Sequence, residues 1–222
     1  MTADCGGDGQ ITVTGNACPR GQQHAIIAVG GMIITAVVNG YGVAFIGGFT
    51  AANKLYGVLE IAATSYGYAM ITYVGQNLGA ARIQRIKSGM GWAVAVALAT
   101  SAVIAGVMLV FGEHIVGAFI SGTAEEIAAA TKVGVIYLSF MSICLPVLYL
   151  LHVTRSAVQG MGNTVLPMIS GIAEFFMRTG GVLLLPALMG ENGIFTAEVL
   201  AWLGADLILV PSYFIVLKRI SR

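Results

Sequence analysis

Polar side chains recur at every fourth position along one otherwise apolar stretch. They are Glu60, Thr64, Tyr68, Thr72 and Gln76. On an α-helix, a step of four residues overshoots one turn by about 40°, so these side chains would wind slowly around one side of a helix. A carboxylate beside hydroxyl and amide groups can attract a cation, accept a proton or contact an organic molecule. Thr and Tyr also join helices in membranes by hydrogen bonds, so both interpretations stay open.

Three more ionisable side chains lie in apolar stretches nearer the C-terminus. Glu174 and Arg178 are four residues apart, the spacing at which helical side chains meet, so each can neutralise the other. Such a pair serves either as a folding clamp or in gating and coupling. Asp206 has no basic residue within four positions on either side. It needs a partner on another helix, a bound proton or water, which makes it a candidate proton site.

Asn39 is a further candidate site residue, beside the Glu60 series, the Glu174 and Arg178 pair, and Asp206. Thr35, Asn39 and Gly42 are expected on one face of the first predicted helix. The amide of Asn39 can both donate and accept hydrogen bonds, which suits either a break in the helix or a substrate contact.

The composition determines the environment of these groups. Of 222 residues, 57% are hydrophobic and 9% are charged, and the mean hydropathy is +0.87. Soluble domains carry about 25% charged residues, so a soluble fold is excluded and lipid must solvate much of the surface. Most of the 30 glycines lie within apolar stretches and predict close helix contacts. A net charge of +1 does not indicate nucleic acid as a partner.

Six apolar stretches are long enough to cross a hydrocarbon core of about 30 Å as helices, which takes roughly 20 residues each. They run approximately over residues 25–49, 55–78, 91–111, 133–153, 165–188 and 194–217. The stretches are too long, and alternate too little, for barrel strands. The sequence therefore predicts an all-α integral membrane protein with a six-helix transmembrane lobe over residues 25–222.

The charges between these stretches predict an orientation. One set of loops carries Arg82, Arg85, Lys87, Arg155, Lys218, Arg219 and Arg222, whereas the other carries Lys54, Glu113, Glu125, Glu126, Lys132 and Glu191. By the positive-inside rule, the first set is cytoplasmic, and both termini are expected in the cytoplasm. Residues 1–24 are polar, lack the pattern of a signal peptide and are expected to be disordered. Thr123 before Glu125 and Glu126 predicts that the fourth helix begins ahead of its apolar stretch.

Several chemistries are not indicated. His24, His114 and His152 fall on separate elements and form no catalytic or metal-binding motif. The three cysteines have no CxxC spacing, and the glycine-containing turns do not have P-loop spacing. The sequence therefore predicts neither an enzyme nor a resident metal or cofactor.

Several motifs occur in an order that is informative. They are VVN at Val37–Asn39 followed by Gly42, GQNLGA at Gly75–Ala80, RSAVQGMGNTVLPM at Arg155–Met168, the Glu174 and Arg178 pair, and Trp202. Over residues 22–219, the chain resembles the C-terminal half of MATE (multidrug and toxic compound extrusion) transporters. The resemblance implies a twelve-helix exporter of two lobes in the plasma membrane, which exchanges small organic cations for Na⁺ or H⁺. In many relatives a carboxylate on the first helix of this half belongs to the cation site, yet residues 25–49 contain no acid.

Two alternatives to efflux remain. Related folds move lipid-linked saccharides, but their cavities generally need several cationic groups, and Arg178 is the one expected deep in a span. The chain could also be a truncated, non-transporting fragment, since the resemblance implies a missing N-terminal lobe. A second copy in parallel orientation could replace that lobe as a homodimer.

Overall fold

The computed structural model describes residues 29–221, and the predicted polar segment 1–24 lies outside them. The described part is a bundle of six helices joined by short turns. The first helix, α1, is described over Val29–Val38. It is followed by α2 (Val43–Gly79), α3 (Ile83–Ala118), α4 (Ala124–Gly160), α5 (Val165–Met189) and α6 (Asn192–Ile220). The predicted all-α, six-helix lobe is confirmed.

The predicted first helix, residues 25–49, is wrong in its extent because the chain turns at residues 39–42. The amides of Gly40 and Tyr41 donate to the carbonyls of Val37 and Val38 at 3.0 Å, which closes α1 with tight turns. Gly42 is extended, with φ −66° and ψ 162°, and precedes α2. Two glycines within three residues weaken a helix at this point. Residues 43–49 therefore continue into α2 rather than ending α1.

The other helices extend beyond their apolar stretches. A helix of 37 residues, the length of α4, is roughly 55 Å long, whereas the hydrocarbon core is about 30 Å thick. The helices α3, α4, α5 and α6 are long and apolar enough to cross a membrane. The polar series on α2 lowers the hydropathy of that helix, although α2 also contains 37 residues.

The start of α4 confirms the predicted N-cap at Thr123. The Thr123 hydroxyl accepts a hydrogen bond from the Glu126 amide at 3.4 Å. The Glu126 carboxylate in turn accepts one from the Thr123 amide at 2.9 Å. This reciprocal pair satisfies two amides that have no partner within the helix.

Thr123→Ala is expected to lower the free energy of unfolding by about 1 kcal/mol, because it removes the side-chain oxygen of the cap. Unfolding in mixed SDS micelles, followed by far-UV circular dichroism, measures the change. Thr123→Ser keeps the hydroxyl and is the matched control. Equal stability of the alanine and serine variants would contradict the assigned cap.

The interior of the bundle is aromatic where α2, α4 and α6 meet. The ring centroids of Tyr137 on α4 and Phe49 on α2 are 4.9 Å apart, and those of Tyr137 and Phe195 on α6 are 5.1 Å apart. The rings of Tyr56 and Trp202 stack at 5.9 Å. α5 packs mainly against α6, whereas α4 contacts α2, α3 and α6. These contacts leave room between α2, α4, α5 and α6.

Candidate functional site

A cavity of ≈ 700 Å³ occupies that space. Residues from α1, α2, α4, α5 and α6 line it, so it depends on the packing of five helices. Its polar lining residues are Thr35, Asn53, Tyr56, Glu60, Thr64, Tyr68, His152, Arg155, Ser156, Gln159, Glu174, Arg178 and Glu198. Phe49, Trp202 and several aliphatic side chains complete the wall.

One wall of the cavity consists of the polar face of α2. Glu60, Thr64 and Tyr68 from the predicted series line the cavity, and Asn53 and Tyr56 extend it by two further turns. The Glu60 side chain is 41% exposed, and its Oε1 lies 3.9 Å from Nε2 of His152. Glu60 is therefore an accessible carboxylate on the cavity wall. Thr72 and Gln76, which complete the predicted series, are exposed and lie outside the cavity.

A buried ionic cluster forms the opposite wall. Oε1 of Glu174 accepts a hydrogen bond from Arg178 at 2.9 Å, as the spacing on α5 predicts. Oε2 of the same carboxylate accepts one from Arg155 on α4 at 2.7 Å. Arg155 was expected in a cytoplasmic loop, and that prediction is wrong, because the residue is 8% exposed within α4. The cluster thus joins α4 to α5 and sets two positive charges against one negative charge.

Glu198 is the acidic cavity residue that was not predicted from the sequence, beside the unpredicted Asn53, Tyr56 and Arg155. It lies on α6, is 9% exposed and lines the cavity. Its Oε2 accepts a hydrogen bond from the Tyr137 hydroxyl at 3.3 Å. The signal that could have found it is the spacing of Glu198, Trp202 and Asp206, since a step of four residues places them along one side of a helix.

Three predicted site residues do not line the cavity: Asn39, Gln76 and Asp206. Asn39 is exposed in the turn after α1, where its backbone N–H donates to the Thr35 carbonyl at 3.0 Å. Asp206 is 7% exposed on α6. Within the described residues, neither of its carboxylate oxygens has a hydrogen-bond partner. The structure thus brings together Glu60, Thr64, Tyr68, Glu174 and Arg178 but not Asn39, Gln76 or Asp206.

The arrangement has the chemistry of a binding chamber for an organic molecule. Three carboxylates and two guanidinium groups line the chamber. Within residues 29–221, Glu60 and Glu198 form no ion pair with an arginine. Tyr56, Trp202 and Phe49 also line the chamber, and aromatic rings attract cations through the ring quadrupole. Such a chamber can hold a flat, positively charged and partly apolar compound.

Solved transporters share this fold. The chain superposes on the Vibrio cholerae MATE transporter VcmN with a TM-score of 0.82 and 17% identity, covering 91% of this chain and 45% of that one. It superposes on a MOP superfamily transporter from Pyrococcus furiosus with a TM-score of 0.79 and 14% identity, covering 92% and 45%. At these identities, the comparison establishes the fold.

The chain is also similar in sequence to a probable multidrug resistance protein. The chain is 29% identical over 177 residues to the "Probable multidrug resistance protein YpnP" of Bacillus subtilis, covering 79% of this chain and 39% of the relative. The chain thus spans less than half of the length of the proteins that it matches.

The family model named MatE matches residues 21–179, more than half of the chain. The match extends from the residues before α1 into α5 and includes the α2 wall and the Arg155–Glu174–Arg178 cluster. Together with the apolar helices, it identifies a multi-pass membrane protein from a family of transporters rather than of enzymes. The chain belongs to the MatE family and has the architecture of one six-helix lobe of a MATE transporter.

Proposed function

We propose that the chain is the C-terminal lobe of an exporter for lipophilic organic cations, driven by an inward gradient of H⁺ or Na⁺. The observation that carries the proposal is the cavity, where Glu60 and Glu198 face a space lined by Tyr56 and Trp202. A cation that enters gains attraction from both carboxylates, and its apolar part contacts the rings. We place the lobe in the plasma membrane with both termini in the cytoplasm, following the remaining loop charges.

The site residues divide into three roles under this proposal. Glu60, Thr64 and Tyr68 contact the substrate from α2, and Glu174 with Arg178 stabilises the opposite wall. Asp206 stays the candidate proton site, since neither of its buried carboxylate oxygens has a hydrogen-bond partner in the described residues. Asn39 and Gln76 stay predictions for the path that leads to the cavity.

The proposal requires a second lobe. The chain covers 39% of its sequence relative, so a second lobe, either an N-terminal lobe or a second copy in parallel, must close the pathway. A lobe that remains alone would bind cations without exporting them, which is the non-transporting alternative. Native mass spectrometry in detergent separates a homodimer from a monomer.

Glu60→Gln is expected to weaken the binding of ethidium to the purified chain in nanodiscs by about tenfold, because a cation loses one accessible carboxylate. Fluorescence anisotropy of ethidium measures the affinity. Glu191→Gln, at an exposed residue outside the cavity, removes the same charge and should leave the affinity unchanged.

Transport itself is tested in vesicles that contain the chain with a second lobe. Ethidium should leave the loaded compartment when an inward ion gradient is imposed, and the efflux should stop when an ionophore collapses the gradient. Absence of gradient-dependent movement of any lipophilic cation would overturn the exporter proposal.

A lipid-linked saccharide flippase is the second candidate, and one observation favours it. Arg155 joins Arg178 on the cavity wall, so two guanidinium groups are present where one was expected. Both already donate to Glu174, which leaves less positive charge for a phosphate. Competition between undecaprenyl phosphate and ethidium for the cavity would favour this candidate.

A further inference from the structure

We propose that Glu198 is the group that takes up and releases the coupling proton, and that Tyr137 and Asn53 relay its protonation state to the cavity. This inference rests on the proposed function and specifies its coupling site. The helix α1 contains no acidic residue over Val29–Val38. The carboxylates that line the cavity, within the described residues, are Glu60, Glu174 and Glu198.

The three side chains converge from three helices. The Tyr137 hydroxyl oxygen, from α4, lies 3.2 Å from Oδ1 of Asn53 on α2. It lies 3.3 Å from Oε2 of Glu198 on α6. A tyrosine hydroxyl carries one hydrogen, yet two acceptor oxygens face it. With Oδ1 of Asn53 turned toward the hydroxyl, as here, a protonated Glu198 supplies the second hydrogen that satisfies all three oxygens.

The number of protons on Glu198 then selects between two arrangements. When Glu198 is protonated, its O–H donates to the Tyr137 oxygen, and the Tyr137 O–H donates to Oδ1 of Asn53. When the O–H bond of Glu198 breaks, the proton leaves to water in the cavity, and the Tyr137 O–H turns to the carboxylate. Oδ1 of Asn53 then loses this donor and faces the cavity that Asn53 lines.

The other carboxylates lack this combination of properties. Glu174 is bonded by two guanidinium groups, whereas the partner of Glu198 is a neutral hydroxyl. Glu60 is 41% exposed, so it is open to water and is not enclosed as Glu198 is. Asp206 does not line the cavity, so a cation bound there would not contact its carboxyl group. Glu198 is buried, lines the cavity and is bonded by a neutral donor.

The hydrogen-bond contacts at Glu198 fit a proton better than a divalent metal cation. Hard cations such as Mg²⁺ and Ca²⁺ take roughly six to eight oxygen ligands. Within the described chain, the hydrogen-bond contacts at Glu198 supply the Tyr137 oxygen and, through it, Asn53. A proton needs one acceptor, which Tyr137 provides.

The charges around Glu198 couple it to the substrate. Glu198 shares the cavity with Arg178, which attracts a carboxylate, and with Glu60 and Glu174, which repel one. A cation beside Glu60 cancels that repulsion, so its binding expels the proton from Glu198. Proton uptake conversely weakens cation binding, as antiport requires. The titratable and charged groups that surround Glu198 are Tyr137 from α4, Tyr56 and Glu60 from α2, and Glu174 and Arg178 from α5.

Two measurements on the purified full chain in nanodiscs test the proposal. Infrared difference spectra between acid and alkaline buffer should contain a protonated-carboxyl band that Glu198→Gln removes. Tyr137→Phe should keep the band and move it to higher wavenumber, because the carboxyl loses its hydrogen-bond partner. A pH-sensitive dye in weakly buffered solution should record about one proton released per ethidium bound, and almost none for Glu198→Gln. Glu191→Gln, at an exposed position, is the matched control for both measurements.

The outcomes separate the two claims. Failure of ethidium to bind the wild-type chain contradicts the proposed function. Binding with the same proton release in wild type and Glu198→Gln overturns the coupling role of Glu198 alone. A carboxyl band that Glu198→Gln leaves intact, or that Tyr137→Phe does not shift, overturns the relay whatever the ligand does. The Tyr137→Phe spectrum also keeps the test decisive if the glutamine variant folds poorly.

Discussion

Glu174→Gln is expected to lower the free energy of unfolding of the lobe by about 3–5 kcal/mol, because it leaves two guanidinium groups buried without their carboxylate. The Arg155 and Arg178 side chains are 10% and 11% exposed, so water replaces little of what they lose. Both donate to separate oxygens of Glu174, at 2.7 and 2.9 Å. One substitution therefore removes two charge-assisted hydrogen bonds. Unfolding in mixed SDS micelles measures the loss.

The charge balance predicts an order among variants that a general packing defect would not produce. Arg178→Gln leaves the Arg155–Glu174 pair, one positive against one negative charge, and should cost less than Glu174→Gln. Glu191→Gln, an exposed position, should have no measurable effect. If Arg178→Gln destabilised the lobe as much as Glu174→Gln, the shared carboxylate would not be the centre of the cluster.

Composition and hydropathy could predict the helices because local properties determine them. Apolar length identifies a helix that crosses a membrane, and the Thr123 cap was readable from the spacing of Thr123 and Glu126. The break after Val38 was harder to locate. Residues 25–49 form one apolar stretch, and the short segment with Asn39, Gly40 and Gly42 is what indicates that the chain turns there. Hydropathy windows average over such a turn.

The site was only half predictable, for a different physical reason. Glu174 with Arg178 and the Glu60 series could be found because their partners lie four residues apart on one helix. Arg155 reaches Glu174 across a sequence separation of 19 residues, and Tyr137 reaches Glu198 across 61. No local spacing encodes these contacts. Arg155 lies near the end of an apolar stretch, so a rule that counts loop charges assigned it to a loop.

These long-range contacts show which acidic residues lie at the cavity of the lobe. The carboxylates at the cavity lie on α2, α5 and α6, as Glu60, Glu174 and Glu198. A carboxylate on the first helix, which resemblance alone suggests, is absent from Val29–Val38. Substrate attraction, structural pairing and proton binding can therefore belong to three different acids. Each acid is then testable by a separate substitution.

Gly48→Ala is expected to destabilise the lobe by about 1–3 kcal/mol, and Gly48→Val by more, because α2 and α4 touch there without room for a side chain. A Cβ atom at position 48 would collide with the carbonyl oxygen of Ala130 and lie 3.0 Å from the amide nitrogen of Gly134. These are backbone atoms, which cannot rotate away. Ala130 and Gly134 form the small-residue pattern that lets membrane helices approach closely. Unfolding in mixed SDS micelles measures the cost.

The matched control is Gly57→Ala, on the same helix. A Cβ atom at position 57 would meet nothing within 4 Å, so alanine should keep or raise stability, with a gain of up to about 1 kcal/mol from its helix propensity. The opposite signs at two glycines of α2 separate close packing from propensity, which acts alike at both positions. A stabilising Gly48→Ala would mean that α2 and α4 are farther apart in the membrane. The cavity wall formed by α2 and α4 depends on this contact, so Gly48→Val should also weaken ethidium binding.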